Sequence, residues 1–306
     1  MKNVLLLDQK NHTSEWHTNF EMSEKDELIC QVKPRYYFDE MVYFVLRNKN
    51  NSNIFENNGS KWTNKGFIKS HLQKCVRRQK KKLAVNSAME MIKIDPSDFI
   101  RRLAIIMIED SDIFSFLPTI IWFMVAISKK YQLTISDVEY LLGCVRSITK
   151  CSTKFDYDNI EEPNVLEPND NIYNNCLLLR INYGGMKGDM VMLKKAVSVI
   201  DNYNIIVKKV KPLKIKQRCL RLEKALYVGM DFHVSFKILY SIQDFIKKNR
   251  NIYLDITTLK KLMWNNRSGV NFRINKKIPT YQPYMGYEKD IDIICRKYIN
   301  SYFKSD

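Results

Sequence analysis

Apolar residues recur at helical spacing through most of this chain, in short stretches broken by turn residues. Phe67, Leu72, Cys75 and Val76 fall on one helical face, and Leu83, Val85, Ala88, Met89 and Ile92 continue the rhythm on a second helix. Asp95-Pro96 is a helix start: Asp caps the first turn, Pro takes the first helical position, and Asp98 follows within the turn. The helix it opens is expected to reach Glu109. Another is expected over 113–130, and a further one, capped by Thr134 or Ser136, runs through Ile148. Downstream, the spacing predicts helices over 172–182, 186–200, 213–228, 234–248, 256–264 and 289–303, with residues 266–287 as an ordered loop holding Gly269, Pro279, Pro283 and Gly286.

Residues 1–60 lack this rhythm. Val4-Leu5-Leu6-Leu7 suggests a short strand, and Tyr36-Tyr37-Phe38 with the run from Met41 to Leu46 suggests one amphipathic helix. The Asn-rich stretch 48–60 reads as a loop. Residues 151–170 collect Asp156, Asp158, Glu161, Glu162, Glu167 and Asp170 with Pro163 and Pro168, an acidic linker in composition. The expected fold is therefore all-α: an irregular N-terminal region (1–60), a basic helical bundle (61–150), the acidic linker (151–170) and a second helical domain (171–306).

Charge sharpens this picture. The 306 residues carry 50 Lys+Arg against 33 Asp+Glu, a formal charge of +17, and the excess is clustered. Residues 61–82 hold Lys61, Lys65, Lys69, Lys74, Arg77, Arg78, Lys80, Lys81 and Lys82 with no acid among them. Residues 208–224 hold Lys208, Lys209, Lys211, Lys214, Lys216, Arg218, Arg221 and Lys224 against Glu223 alone. Like charges stacked at helical spacing repel unless an anion meets them, so nucleic acid is the expected partner. The residues expected to meet phosphate are Lys74, Arg77, Arg78, Lys80, Lys81, Lys82, Lys214, Lys216, Arg218 and Arg221. A different role is expected for Arg101-Arg102 and Glu109-Asp110, which flank an apolar hexapeptide on one helix. Charges in such a setting are normally paired, so these four are expected to form a structural ion-pair network.

Other chemistry is sparse. His12, His17, His71 and His233 show no ligand spacing, so no metal site and no cofactor is expected. Seven scattered cysteines, with no CxxC pair, fit a reducing intracellular compartment: cytoplasm, nucleus, viral factory or virion. The apolar run 113–127 is shorter than a membrane span, contains Pro118 and is bounded by Asp112 and Lys129-Lys130, so it is expected to be a core helix. Tyr183-Gly184-Gly185-Met186-Lys187-Gly188-Asp189 opens a helix and has the backbone freedom to approach a phosphate. It is not a P-loop, for no G-x-x-x-x-G-K-[ST] occurs in the chain, and a tight turn between helices is the plainer reading.

Segment 68–127 resembles the helical C-terminal region of the replication-associated recombination protein A family, the bacterial relatives of the Werner helicase-interacting protein. It carries Lys74-Cys75-Val76-Arg77, then Ala84 and Ala88, Asp95-Pro96, Arg101-Arg102-Leu103 and Glu109-Asp110 in the family's order. It departs in having Arg78 and Asp112 where the family has glycine, and the Walker A of the AAA+ core is missing. The resemblance implies a clamp-loader collar-like domain without ATP hydrolysis, a homo-oligomer, and replication or repair proteins as partners. The Lys- and Asn-rich composition also resembles that of replication-associated proteins of large DNA viruses. The expected function is a non-catalytic nucleic-acid-binding or scaffold protein, with DNA ahead of RNA and no membrane partner. Its alternatives are a structural or virion-associated interaction protein and a divergent metal-dependent nuclease built on Glu109-Asp110.

Overall fold

The computed structural model describes residues 1–202, 207–230, 235–274 and 286–304. Its first departure from expectation is at the N-terminus, where the region expected to be irregular is a sheet. Strand β1 (Val4–Asp8) pairs antiparallel with β2 (Thr13–His17) and parallel with β4 (Val42–Arg47), whose other edge takes β3 (Asp26–Val32) antiparallel. The order is β2-β1-β4-β3. The protein is thus mixed α/β, and the all-α expectation is corrected.

The error has a definite origin. The stretch read as one amphipathic helix contains Val42-Tyr43-Phe44-Val45-Leu46, a short β-branched and aromatic run whose length does not separate helix from strand. Val4 to Leu7 is almost completely buried, as befits a central strand covered on both faces. Val4, Leu6 and Val45 cluster with Phe20 and Tyr43 on one face, which leaves Leu5, Leu7, Phe44 and Leu46 on the other. At roughly 2 kcal/mol for each fully buried large side chain, β1 and β4 anchor this part of the molecule.

The chain folds as two compact units, and each is assembled from segments distant in sequence. Unit 1 comprises 1–57 and 95–217, and unit 2 comprises 58–94 and 218–306. Unit 1 adds to the sheet α3 (Pro96–Asp110), α4 (Leu117–Ser128), α5 (Ile135–Lys150), α6 (Ile172–Asn182) and α7 (Lys187–Asn202). The apolar run 113–127 supplies α4, which packs on β1, β2 and β4, and Trp122 Nε1 donates to the carbonyl of Val45 at 3.1 Å. No helix among the described residues is long and apolar enough to cross a membrane.

A buried polar knot joins the β1–β2 turn to α5. Asp137 accepts from Gln9 Nε2 (3.1 Å), Tyr131 Oη (3.0 Å) and the Thr134 N–H (2.9 Å), and His12 Nε2 lies 3.1 Å from it. Burial alone would raise the Asp137 carboxyl, but the bonds from His12, Thr134 and Gln9 outweigh it and hold the group below the ordinary range. Thr134 is the cap, within a reciprocal capping box with Asp137.

Unit 2 contains α1 (Lys65–Arg77), α2 (Lys81–Ile94), α8 (Phe236–Arg250), α9 (Ile256–Met263), a π-helical turn (Trp264–Ser268) and α10 (Glu288–Ser301). The expected 61–150 bundle is therefore divided: α1 and α2 belong to unit 2, and α3 to α5 belong to unit 1. Residues 151–170 lie within unit 1, where Phe155 is buried with its N–H on the Ser111 carbonyl and Glu162 pairs with Lys194.

The stretch 213–228, expected as a helix, is extended with two short 3-10 turns, Leu222–Lys224 and Tyr227–Gly229. Apolar and basic residues alternate from Leu213 to Lys216, and a helix would have stacked Lys214, Arg218 and Arg221 on one face. In unit 1 its first part lies against α5, where any side chain at Gly143 would stand 2.3 Å from the Leu213 carbonyl oxygen. Within the expected loop 266–287, Pro279 and Pro283 lie outside the described residues, as does His233.

Candidate nucleic-acid interface

Helix α1 begins at Asn64, whose side chain accepts from the Phe67 N–H, and turns Ile68, His71, Leu72, Cys75 and Val76 inward. His71 shows how tightly this face is held. Its Nε2 accepts from the Leu226 N–H (2.9 Å), which assigns the proton to Nδ1, 2.7 Å from Ser87 Oγ. Burial lowers its pKa to about 3, so the ring is neutral at pH 7.

The other side of the same helix end is also covered, and it carries much of the basic run. Lys74, Arg77 and Arg78 are all buried. Arg77 Nη1 donates to the Ser268 carbonyl (2.9 Å) and its guanidinium lies over the Trp264 ring. Arg78 Nη2 donates to the Arg267 carbonyl (2.7 Å) and its guanidinium lies over Phe272. The Phe272 N–H returns to the Arg77 carbonyl at 2.9 Å. These arginines, expected to meet phosphate, instead fasten α1 to the π-helical turn and the segment after it. The physical reason is tertiary packing: at about 100° per residue Lys74 and Arg77 lie opposite the face of Leu72, Cys75 and Val76, and the π-helical turn with the segment after it covers that side of α1.

Lys80, Lys81 and Lys82 have the opposite fate. The chain reverses at Gln79, and all three lysines are exposed at the start of α2. The first turn of α2 carries no acid, and the helix dipole there is positive, so the site is unfavourable for cations and favourable for an anion. The one acid of α2, Glu90, is buried and committed to Ser60 Oγ (2.6 Å) and the Leu220 N–H (3.0 Å). That last bond lays Arg218 and Arg221, both exposed, beside the distal half of α2. Lys82 and Glu90 are about 12 Å apart at the helical rise, so the two basic groups occupy opposite ends of one helix.

Lys214 and Lys216 belong to unit 1, both exposed, with Lys214 Nζ on Ser136 Oγ at 2.6 Å. The expected ion-pair network is rearranged. Arg102 pairs with Asp189 on α7 (3.5 Å), and Arg101 Nη2 donates to the Tyr183 carbonyl (2.7 Å). These arginines reach across to the α6–α7 turn, because Glu109 sits two turns away along α3, about 10 Å, beyond an arginine's convenient reach. Asp110 is buried and Glu109 half-buried, and among the described residues no group of three or more His, Cys, Asp or Glu is placed to hold a metal ion. Among the described residues no cysteine is joined to another by a disulfide.

Comparison with known proteins gave no match: no family model, no curated protein and no solved structure is similar to this chain.

Proposed function

We propose that this chain is a non-catalytic nucleic-acid-binding protein that grips the phosphate backbone without reading sequence. Its contact residues are Lys80, Lys81 and Lys82 with Arg218 and Arg221 on unit 2, and Lys214 and Lys216 on unit 1. The observation that carries this reading is the three-lysine start of α2, exposed, consecutive and with no acid in the first turn. Lysines placed against the positive end of a helix dipole cost stability that a bound phosphate returns. The formal charge of +17 supports the same partner. DNA is the preferred polymer, and a replication or repair assembly its setting, on the strength of the collar-like resemblance.

The test is binding to single- and double-stranded DNA and RNA across a salt series. Each phosphate contact contributes about 0.9 to the log-log salt slope on duplex DNA, so reversing all three lysines to Glu should weaken binding and flatten the slope by roughly 3 at most. Unchanged affinity and slope in that variant would remove the reading.

A further inference from the structure

The Gly-rich turn between α6 and α7 takes no part in the surface just described. We propose that Arg101, Arg102 and Arg180, gathered at the Gly184-Gly185 turn of unit 1, form a site for a phosphate group. This site is independent of the lysine surface on α2.

Arg180 is 3% exposed; its Nε donates to the Arg101 carbonyl (3.0 Å) and its Nη1 to the Gly184 carbonyl (2.8 Å). Arg101 Nη2 takes the adjacent carbonyl, that of Tyr183. Two guanidinium groups therefore sit on consecutive carbonyls of one turn, with Arg102 beside them on Asp189. Arg102 and Arg180 thus share the Asp189 carboxylate, Arg101 stands close enough to Arg180 to repel it, and the Arg102–Asp189 separation of 3.5 Å is long for a charge-assisted bond. Excess positive charge at low exposure is costly without a counter-ion. The cost registers on Arg180, whose pKa falls to about 10 through burial, then through repulsion from Arg101, with Asp189 opposing and Arg102 adding to it.

A donor is also left over. Arg101 Nε is buried and has no hydrogen-bond partner among the described residues. The turn leaves the approach open. Gly184 adopts φ +65°, and added Cβ atoms at Gly184 and Gly188 would meet nothing within 4 Å. At Gly185 a Cβ would come within 2.9 Å of Met190 Cε and stand 3.8 Å from Arg180 Nη2. A side chain there would fill the space in front of Arg180. A phosphate offers several acceptor oxygens to planar guanidinium forks, which suits three converging arginines better than a second carboxylate would. Lys187, exposed at the start of α7, adds a cation at the mouth.

The experiment titrates the full chain by calorimetry with inorganic phosphate, with ATP, and with one short oligonucleotide bearing either a 5′-phosphate or a 5′-hydroxyl. Saturable binding of at least one phosphate ligand is expected. Arg101→Gln should weaken it about tenfold or more, the loss of one hydrogen bond from a charged donor, and Arg101→Lys should recover part of it. The Lys80, Lys81, Lys82 to Glu variant should bind inorganic phosphate and ATP as wild type does, and should keep any preference for the 5′-phosphate over the 5′-hydroxyl, which separates failure here from failure of the polyanion reading. If Arg101→Gln loses its circular dichroism, Met186→Asp on the exposed turn replaces it and should weaken binding by repulsion. Preference for ATP identifies a nucleotide source, and preference for the 5′-phosphate identifies a nucleic-acid end. No saturable binding of any of these ligands, or equal affinity in a folded Arg101→Gln or Met186→Asp chain, overturns the proposal.

Discussion

Arg77-Arg78 and Lys80-Lys81-Lys82 are neighbours in one basic run, yet within unit 2 the arginines are buried and the lysines exposed. Composition treats them alike; geometry does not. The arginines end α1 beneath the π-helical turn and the segment after it, where a planar guanidinium can satisfy a carbonyl while lying on an aromatic ring. The lysines follow a chain reversal at Gln79 and are exposed. Charge in a sequence therefore divides into a part the fold consumes and a part left for a partner, and only the second part argues for binding.

The sharpest way to break this division is to remove an arginine. Arg78→Ala deletes a buried donor to the Arg267 carbonyl and a ring contact, and should cost roughly 2–4 kcal/mol of unit 2 stability. Thermal melting would register it, while the folded fraction should bind nucleic acid as wild type does. A variant that melts normally but binds poorly would move Arg78 to the surface class. The lysine reversal is the mirror case. It should cost about 2 kcal/mol or more of binding at low salt and raise stability by roughly 1 kcal/mol, because acids suit the positive end of the α2 dipole.

A third prediction tests the inward face of α1 by pH. His71 has a folded pKa of about 3 against an ordinary 6.5, so the unfolded chain binds a proton that the folded one refuses. Its contribution is fully present above pH 6.5 and declines as pH falls from there toward 3, by at most about 1.4 kcal/mol per pH unit. Unit 2 should lose stability across that window, and His71→Gln should flatten the decline although it lowers stability overall. A wild-type chain whose stability does not change between about pH 6.5 and 4 would contradict a buried neutral His71.

Much of the helical framework is legible in the sequence because its punctuation is local. Asp95 caps α3, Thr134 caps α5 and Asp255 caps α9, each recognisable from the residue and its followers. The sheet is not, because its pairing is non-local: Val42 to Leu46 becomes a strand by lying parallel to Val4 to Leu7, nearly forty residues earlier. The two units are also illegible, since each is assembled from segments that the acidic composition of 151–170 does not separate. Of the residues expected to meet phosphate, Lys80, Lys81, Lys82, Lys214, Lys216, Arg218 and Arg221 are exposed, while Lys74, Arg77 and Arg78 are not. Helical phase does not flag those three, because Lys74 and Arg77 lie opposite Leu72, Cys75 and Val76 on α1, and the segment that covers them comes from nearly two hundred residues later. The Arg180 cluster is out of reach of any such signal: Arg180 meets Arg101 only through the packing of α6 on its neighbours.

The smallest expected effect lies at the residue that separates the two fates. Gln79 closes α1 in a Schellman arrangement: the Lys80 N–H reaches the Cys75 carbonyl at 2.8 Å and the Gln79 N–H reaches that of Val76 at 3.1 Å. Its φ of +53° is the left-handed conformation in which glycine has no steric penalty and glutamine does. Gln79→Gly relieves that penalty, of about 1–2 kcal/mol, but gives back roughly 0.5–1 kcal/mol through the freer unfolded chain. A net gain of a few tenths to about 1 kcal/mol follows, visible as a slightly higher melting temperature. Because the reversal is kept, Lys80, Lys81 and Lys82 stay outside and nucleic-acid affinity should not change. If Gln79→Gly lowers the melting temperature instead, the reversal depends on the glutamine side chain and not on backbone geometry, and the boundary between consumed and available charge would have to be drawn from that side chain's own bonds.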